Sequence, residues 1–160
     1  MSLIGRRVVL MMPFSLLIRP LAVTAGDIDV YTATYSADVG ILYNMLTLHL
    51  RGHIEETIDR RNGHYRVVAT GEGSSIRNRF ESSGVLGAGR WKPIRTKSHF
   101  DVRGRQSETD VAFDWSKREV RYQAQGETFF LRRVRRVDDI LSVPEGVHID
   151  DGMSATLNYA

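Results

Sequence analysis

The sequence of 160 residues contains no cysteine. This absence excludes disulfide bonds, thiolate nucleophiles, zinc–thiolate sites and a lipid anchor attached to a cysteine. A chain without covalent cross-links must be stabilised by packing alone, even in an oxidising compartment.

The sequence also has no marked excess of one charge. Its formal net charge is +3, but residues 1–25 contain Arg6, Arg7 and Arg19 and no acidic residue. The remaining chain carries nineteen basic and nineteen acidic side chains and is formally neutral, so charge gives no reason to expect a nucleic-acid partner. An apolar fraction of 42% is ordinary for a folded chain of this length. We therefore predict one globular domain, residues 26–160, rather than a disordered chain.

Residues 1–25 have the layout of a signal peptide. Arg6 and Arg7 form a positive start, an apolar run extends from Val8 to Ile18, and small residues precede Gly26. A run of eleven residues is too short to span a bilayer, and we expect no transmembrane segment in the mature chain. The pattern predicts a periplasmic or secreted protein whose mature part begins near Gly26. General secretion and the twin-arginine route both remain open.

Apolar and polar residues alternate most clearly between Ile94 and Gln125. A period of two over this length is typical of strands with one buried face. Arg103-Gly104 is a candidate for a two-residue hairpin turn, because glycine accepts the positive φ that such turns require. The pairs expected from this turn are Phe100 with Ser107, Thr96 with Val111, and Ile94 with Phe113.

A third strand follows the same alternation. A four-residue loop at 116–119 would join it to the second strand and keep the apolar side chains of all three strands on one face. The pairs expected from this loop are Trp115 with Val120, and Phe113 with Tyr122.

A second hairpin is predicted at Asn62-Gly63, a strong two-residue turn pair. The strands upstream of this hairpin are predicted at residues 28–35 and 46–50, and another strand at 128–137 has a break in phase that suggests a bulge. Short helices are predicted at 74–78 and, capped by Asp151, at 152–158. The sequence therefore predicts an all-β chain of antiparallel hairpins with one or two short helices. The pairs expected at Asn62-Gly63 are Ile58 with Val67, and Arg60 with Tyr65.

Short motifs punctuate residues 71–159. They are Arg79-Phe80-Glu81-Ser82, Trp91-Lys92-Pro93-Ile94-Arg95, Phe113-Asp114-Trp115 with Val120-Arg121-Tyr122, Val143-Pro144-Glu145-Gly146-Val147, and Asp151-Gly152-Met153-Ser154-Ala155. Together they resemble an uncharacterised bacterial family of exported β-proteins, the domain of unknown function 3108. The resemblance implies a curved antiparallel sheet or open barrel in the cell envelope, and it carries over no catalytic residue. In such proteins further strands follow the segment that resembles residues 154–159, so we expect this chain to lack C-terminal strands of the family.

The inward side chains of the hairpins define a candidate binding surface. A concave apolar sheet face suits a lipid-like or other hydrophobic ligand, or a partner protein of the envelope. The alternative is a structural or protein-interaction module whose apolar face is simply core. A hydrolase is the least supported function, and we predict a non-enzymatic protein without a cofactor. The residues of the predicted face are Leu48, Val67, Phe100, Phe113, Trp115 and Tyr122.

The densest charge cluster consists of Arg132, Arg133, Arg135 and Arg136. These arginines suit an anionic partner such as lipid headgroups, a polyanionic polysaccharide or a nucleic acid. The interpretation that we favour is an edge or bulged strand kept soluble by its charges, with Asp138 and Asp139 as local partners.

Histidines at 49 and 53 have the spacing of two metal ligands on one helix face. Gly52 between them and the alternating leucines at 46, 48 and 50 favour a strand instead. Positions four apart on a strand are about 13 Å apart, too far for one metal ion. We therefore predict solvent-exposed histidines and no metal site.

Enzyme signatures are absent from the sequence. The adjacent carboxylates at 138–139 and 150–151 would point apart on strands. Ser154 lacks the second glycine of a nucleophile elbow.

Overall fold

The structure, a computed structural model, describes residues 28–41, 46–127 and 133–159. These residues form one eight-stranded antiparallel sheet, in which the strands lie side by side in chain order, and one short helix. The predicted all-β class is confirmed, with a single helix, and the predicted signal peptide lies outside the described residues. The elements are β1 (Ile28–Ile41), β2 (Leu46–Asp59), β3 (His64–Gly73), β4 (Ile76–Gly87), β5 (Arg90–Val102), β6 (Arg105–Asp114), β7 (Glu119–Glu127), β8 (Val134–Ser142) and α1 (Gly152–Tyr159).

The pairing registers give the sheet one apolar and one polar face. Successive side chains of a strand point to opposite faces and cross-strand partners share a face, so each face can be followed from β1 to β8. Charged and amide side chains dominate the polar face. The apolar face carries Leu48 and Leu50 of β2, Tyr65 and Val67 of β3, Ile76 of β4, Phe100 and Val102 of β5, Phe113 of β6, and Val120 and Tyr122 of β7.

Two clusters of buried side chains form the core, and both lie on the apolar face. Only the second is covered by α1; the first has no helix above it among the described elements. Its side chains come from β1, β2, β4 and β5. The first cluster contains Leu48, Leu50, Ile76 and Val102, with Tyr35, Ala37 and Phe100 packed against it. The second contains Ile58, Tyr65, Val67 and Trp91, with Ile54, Met153 and Leu157 packed against it.

Two glycines on the apolar face allow tyrosine rings to approach the backbone. A Cβ on Gly52 would lie under 3.0 Å from the ring of Tyr35, and a Cβ on Gly84 would lie under 3.0 Å from the ring of Tyr65. The Tyr35 hydroxyl donates a hydrogen bond to the carbonyl of Thr70 at 3.3 Å. Aromatic rings over strand glycines restore the contacts that the missing side chain cannot make.

The hairpin predicted at Arg103-Gly104 is confirmed. Both turn residues have positive φ, 53° and 75°, as a two-residue turn with the twist of the flanking strands requires. Asp101 Oδ1 accepts a hydrogen bond from the Gly104 N–H at 2.8 Å. The observed pairs include Phe100 with Ser107 and Thr96 with Val111, as predicted.

The register predicted at Asn62-Gly63 is wrong by two residues. Ile58 pairs with Tyr65 instead of Val67, and residues 60–63 form a four-residue loop, so Arg60 does not face Tyr65. The cause is Asp59, whose carboxylate accepts hydrogen bonds from the Asn62 backbone and side chain at 2.9 and 2.8 Å. Only Gly63 of the predicted turn pair has a positive φ.

The register predicted for the loop after β6 is also wrong by two residues. Phe113 pairs with Val120 instead of Tyr122, and the loop is 115–118, so Trp115 has no cross-strand partner. An aspartate again begins the loop, since Asp114 Oδ1 accepts hydrogen bonds from the N–H groups at 116 and 117. A shift of two residues preserves side-chain parity, so the predicted faces survive both errors.

The predicted pairing of Ile94 with Phe113 does not occur, because Ile94 is the extra residue of a β-bulge. On β4, Ser83 pairs with Arg95 and Gly84 pairs with Pro93, which leaves Ile94 without a partner and 43% exposed. Proline has no N–H to donate to a ladder, and a bulge is one of the few places where a strand tolerates it.

Two predictions of local structure are wrong. Residues 74–78 are not helical, because Gly73 pairs with Ile76 across a two-residue loop and β4 starts there. The buried position of Ile76 in the core overrides the polar composition of this stretch. Residues 128–137 are not one strand, because Glu127 pairs with Val134 and the chain reverses between them. Residues 128–132 of this prediction lie outside the described residues.

Candidate functional site

The structure places the six residues of the predicted apolar face in different environments. Leu48 and Val67 are 7% and 6% exposed and belong to the two core clusters, so a ligand cannot reach them without opening the core. Phe100 packs against the first cluster. Phe113, Trp115 and Tyr122 lie farther along the sheet and are half-buried. The set shares one side of the sheet as predicted, but its first half is core.

A contiguous band of half-buried and exposed apolar side chains continues the apolar face over β6 to β8, and we call it the apolar strip. Val111 pairs with Tyr122, while Val120 links Phe113 on one side to Leu141 on the other. Leu141 is 58% exposed. The apolar strip consists of Val111, Phe113, Trp115, Tyr122 and Leu141.

The loop residue Trp115 completes the apolar strip at one end. Its ring stacks on Phe113 with centroids 5.9 Å apart and planes 11° from parallel. Its indole N–H donates to the carbonyl of Pro93 at 2.7 Å, and the ammonium of Lys92 lies 5.8 Å from the ring centroid. These contacts fix the ring beside the bulge in β5 and leave part of its surface open to solvent.

Helix α1 covers a different part of the apolar face. Met153 and Leu157 pack on the second core cluster, and the helix lies against β5. The Asn158 side chain donates to the Trp91 carbonyl and accepts from the Trp91 N–H, each at 2.9 Å, so it extends the pairing of β5. Arg90 binds Asp150 and donates to the Tyr159 hydroxyl at 2.6 Å. The helix is therefore held at both ends.

The N-terminus of α1 is anchored by a buried polar network around Asp151. Asp151 Oδ1 accepts from the Ser154 N–H at 2.7 Å, and Ser154 Oγ accepts from the Asp151 N–H at 2.9 Å, a reciprocal cap. From the sheet, Ser82 donates to Asp151, Thr96 donates at 2.9 Å and the Tyr65 hydroxyl donates at 3.3 Å. Ser82 and Ser154 are 1% and 0% exposed. The network ties α1 to three strands.

Electrostatics in this network favour an ionised aspartate. Partial burial raises the pKa of Asp151, but the hydrogen bonds from Ser82, the Ser154 N–H and Thr96 together lower it below its ordinary value. Burial raises the pKa of Tyr65 to about 12. A carboxylate of lowered pKa that accepts several hydrogen bonds is a weak proton acceptor at neutral pH, so this arrangement stabilises the helix instead of activating a hydroxyl.

The sequence identified Asp151 as a helix cap, but it did not identify the network. Ser82, Thr96 and Tyr65 are far from Asp151 along the chain, and only the sheet registers bring them together. A signal was present, because Ser82 and Thr96 are small polar residues at positions that alternation assigns to the inward face.

The polar face holds two open hollows of about 580 and 660 Å³, which share Arg79 and His99 in their walls. Most of their charges are paired within the sheet. Hydrogen bonds from Arg95, Arg79 and Arg121 lower the pKa values of Asp110, Glu81 and Asp138 respectively. The corresponding distances are 2.6 Å for Arg95–Asp110, 2.6 Å for Arg79–Glu81 and 3.0 Å for Arg121–Asp138. This face is a polar surface whose acids and bases satisfy one another.

The two histidines with metal-ligand spacing lie on strand β2, and a helix is excluded there. Nδ1 of His49 is 2.7 Å from Asp38 Oδ1, in an exposed pair. Within the residues that the structure describes, no group of histidine and carboxylate side chains has a geometry that would hold a metal ion.

The predicted arginine cluster does not form one patch. Arg135 lies on the apolar face and Arg136 on the polar face of β8, while Arg133 precedes the strand and Arg132 lies outside the described residues. Asp138, predicted as a partner of these arginines, instead contacts Arg121 and Gln123 of β7 at 3.0 Å each. The cluster is divided between the two sides of an edge strand.

No family model, no curated protein and no solved structure matches this chain.

Proposed function

We propose that this protein is a non-enzymatic component of the cell envelope that binds an apolar, lipid-like ligand on the apolar strip. The observation that carries the proposal is the extension of the apolar face beyond α1, where Val111, Phe113 and Tyr122 are only half-buried and Leu141 is exposed. Soluble domains rarely leave contiguous apolar surface open unless something binds there.

The composition of the apolar strip favours an acyl chain or a similar apolar group. Its members are the aliphatic side chains of Val111 and Leu141 and three aromatic rings, and the exposed Asp139 borders it opposite Tyr122. Aromatic and aliphatic linings with few polar groups are typical of sites for apolar ligands. The single hydrogen bond of Trp115 to the Pro93 carbonyl and the stacking of its ring on Phe113 hold this part of the surface in place before a ligand binds.

The proposed envelope location has its support in the sequence. The positive start, the short apolar run and the small residues before Gly26 form an export signal, and the family that the C-terminal half resembles is exported. N-terminal sequencing of protein recovered from the envelope fraction should therefore begin near Gly26. Recovery of the chain with an intact Met1 from the cytoplasm would contradict export.

Ligand binding is tested with a brominated long-chain fatty acid, which quenches tryptophan fluorescence on contact. We expect saturable quenching of Trp115, because its ring lies in the apolar strip, and little quenching in the Trp115→Phe chain, because Trp91 is 7% exposed within the core. Native mass spectrometry of protein purified without detergent should show a bound lipid-like species.

A charged substitution in the apolar strip distinguishes a loss of ligand binding from a general effect on the fold. Tyr122→Asp should weaken fatty-acid binding by about tenfold or more, since a carboxylate against an acyl chain is poorly solvated. Gln125→Asp, on the same strand but on the polar face, should leave binding unchanged. Equal effects of the two changes, or no quenching in the unmodified protein, would favour a structural module without a ligand.

A further inference from the structure

Strand β8 is an edge strand with unusually exposed side chains. Every one of its residues except Val137 is exposed. Val134 and Ile140 on the polar face are 54% and 60% exposed, and Leu141 on the apolar face is 58% exposed. Among the described strands only β7 pairs with β8, so its outer edge offers backbone hydrogen-bonding groups together with apolar side chains. Such an edge is a template for another strand.

The sequence of β8 is complementary in charge to itself. Its central residues read Arg135-Arg136-Val137-Asp138-Asp139. When two copies run antiparallel about Val137, Arg136 lies opposite Asp138 and Arg135 lies opposite Asp139. Outside these pairs, Val134 lies opposite Ile140. Opposite charges and apolar residues placed directly across an antiparallel pair stabilise it.

We propose that β8 pairs antiparallel with β8 of a second copy of this chain, about a two-fold axis at Val137, so that the two sheets become one. The contact is isologous, as in most homodimers: the same strand contributes both sides and the assembly closes at two copies. The pairing also removes the unpaired outer edge of β8 from solvent.

The alternation of faces agrees with this register. Each proposed pair joins two residues of the same parity, so the apolar-face residues of one copy meet apolar-face residues of the other. The apolar faces of both copies therefore lie on the same side of the joined sheet. Shifting the register by two residues in one direction places Asp138 opposite itself, and the opposite shift does the same to Arg136. Like charges directly opposite are destabilising, so one register is selected.

The charged side chains of β8 are available for these contacts. Arg135, Arg136 and Asp139 form no ion pair within the part of the chain that the structure describes. Asp138 contacts Arg121 at 3.0 Å on its own sheet, and Arg136 of the second copy would join that pair from the other side. Charges on an edge strand ordinarily block association, but here each charge meets one of opposite sign.

The test is a charge exchange on the apolar face, where Arg135 and Asp139 are exposed and form no ion pair with any other described residue. We expect the unmodified protein to be a dimer at micromolar concentration by analytical ultracentrifugation. Arg135→Asp places two carboxylates opposite each other, and Asp139→Arg places two guanidinium groups opposite each other. Each single change should raise the dimer dissociation constant by about tenfold or more, since every dimer contains the altered contact twice.

The double variant R135D/D139R supplies the decisive comparison. It restores opposite charges across the interface, so its dissociation constant should return to within about threefold of the unmodified value. Circular dichroism of all three variants should match the unmodified protein, because Arg135 and Asp139 are exposed and make no hydrogen bond or ion pair within the described residues. A monomer at all concentrations, a dimer that the single changes do not weaken, or a double variant as weak as the singles would each overturn the proposal.

Cross-linking tests the position of the axis separately. The chain has no cysteine, so V137C introduces a single thiol whose Cβ atom would lie about 5 Å from its symmetry mate. Mild oxidation should cross-link V137C into a covalent dimer within minutes and leave the loop variant S116C monomeric. Absence of the V137C cross-link in a protein that dimerises would show that another surface, such as the β1 edge, makes the contact and would overturn the proposal.

Discussion

Replacing Gly84 with alanine is expected to lower the free energy of unfolding by about 3 kcal/mol or more. The new Cβ would lie under 3.0 Å from the Lys92 carbonyl oxygen and from the Tyr65 ring. The carbonyl belongs to the paired backbone of β5, and Tyr65 is 2% exposed in the second core cluster. Neither can move without disturbing the bulge or the core, so the strain remains in the folded state. Urea unfolding measured by circular dichroism gives the difference.

Gly87→Ala is the matched control for this prediction. Gly87 lies on the same strand, but a Cβ there meets only the flexible side chain of Lys92 at 3.8 Å or more. We expect a change within about 0.5 kcal/mol. If both alanines cost the same, glycine would matter here only through backbone entropy, and the close approach of Tyr65 to β4 would be wrong.

Replacing Asp151 with alanine is expected to cost about 3 kcal/mol and to release α1 from the sheet. The change removes the helix cap, worth about 1 kcal/mol, and leaves the hydroxyls of Ser82 and Thr96 without their carboxylate acceptor, at about 1–3 kcal/mol for each unsatisfied buried group. Glu145→Ala, an exposed carboxylate in the segment that precedes α1, should be nearly silent. Hydrogen exchange of residues 152–159 should accelerate in the Asp151→Ala chain only.

The ionisation of Asp151 predicts how the stability of the fold changes as the pH falls. The pKa of Asp151 is lower in the folded than in the unfolded protein, so its stabilising contribution is present above about pH 4 and is lost as the pH falls through the lowered folded value. Asp151→Asn should flatten the fall in stability with acid over this window. Hydrogen bonds from Ser116 and the Lys117 N–H lower the pKa of Asp114 to about 2. Asp114 is present in both chains, so its contribution cancels from the difference in stability between them. Parallel stability curves for the two chains would contradict the assignment.

The strand registers show which features of the sheet a local sequence pattern predicts and which it does not. Alternation placed Phe113 and Tyr122 on the correct face, because a strand has a side-chain period of two that no loop can change. It did not fix which residues pair, since pairing depends on loop length. At Asp59, a carboxylate that binds the loop backbone accompanies a turn two residues longer than predicted, and at Asp114 the four-residue loop begins one residue earlier than predicted. At Arg103-Gly104, where both residues of the turn have a positive φ, the predicted register was correct.

In the candidate site too, the sequence pattern predicts which face a side chain lies on but not whether that side chain is buried. The sequence identified Phe113, Trp115 and Tyr122 as members of one apolar surface, and these remain in the apolar strip. It also included Leu48 and Val67, which are buried in the core. An alternating pattern cannot distinguish a side chain that will be covered from one that stays exposed. Whether a side chain of this face is buried depends on where α1 packs and on the shape of the sheet.

The sequence by itself determined the all-β class, the antiparallel hairpins, the inward face of each confirmed strand and the cap at Asp151, because each depends on residues close along the chain. Only the tertiary structure decided the bulge at Ile94, the docking of α1 and the meeting of Ser82, Thr96 and Tyr65 around one carboxylate. These features join residues as many as 86 positions apart, and their energies come from shared burial. No local propensity carries that information, so it exists only once the strands are paired.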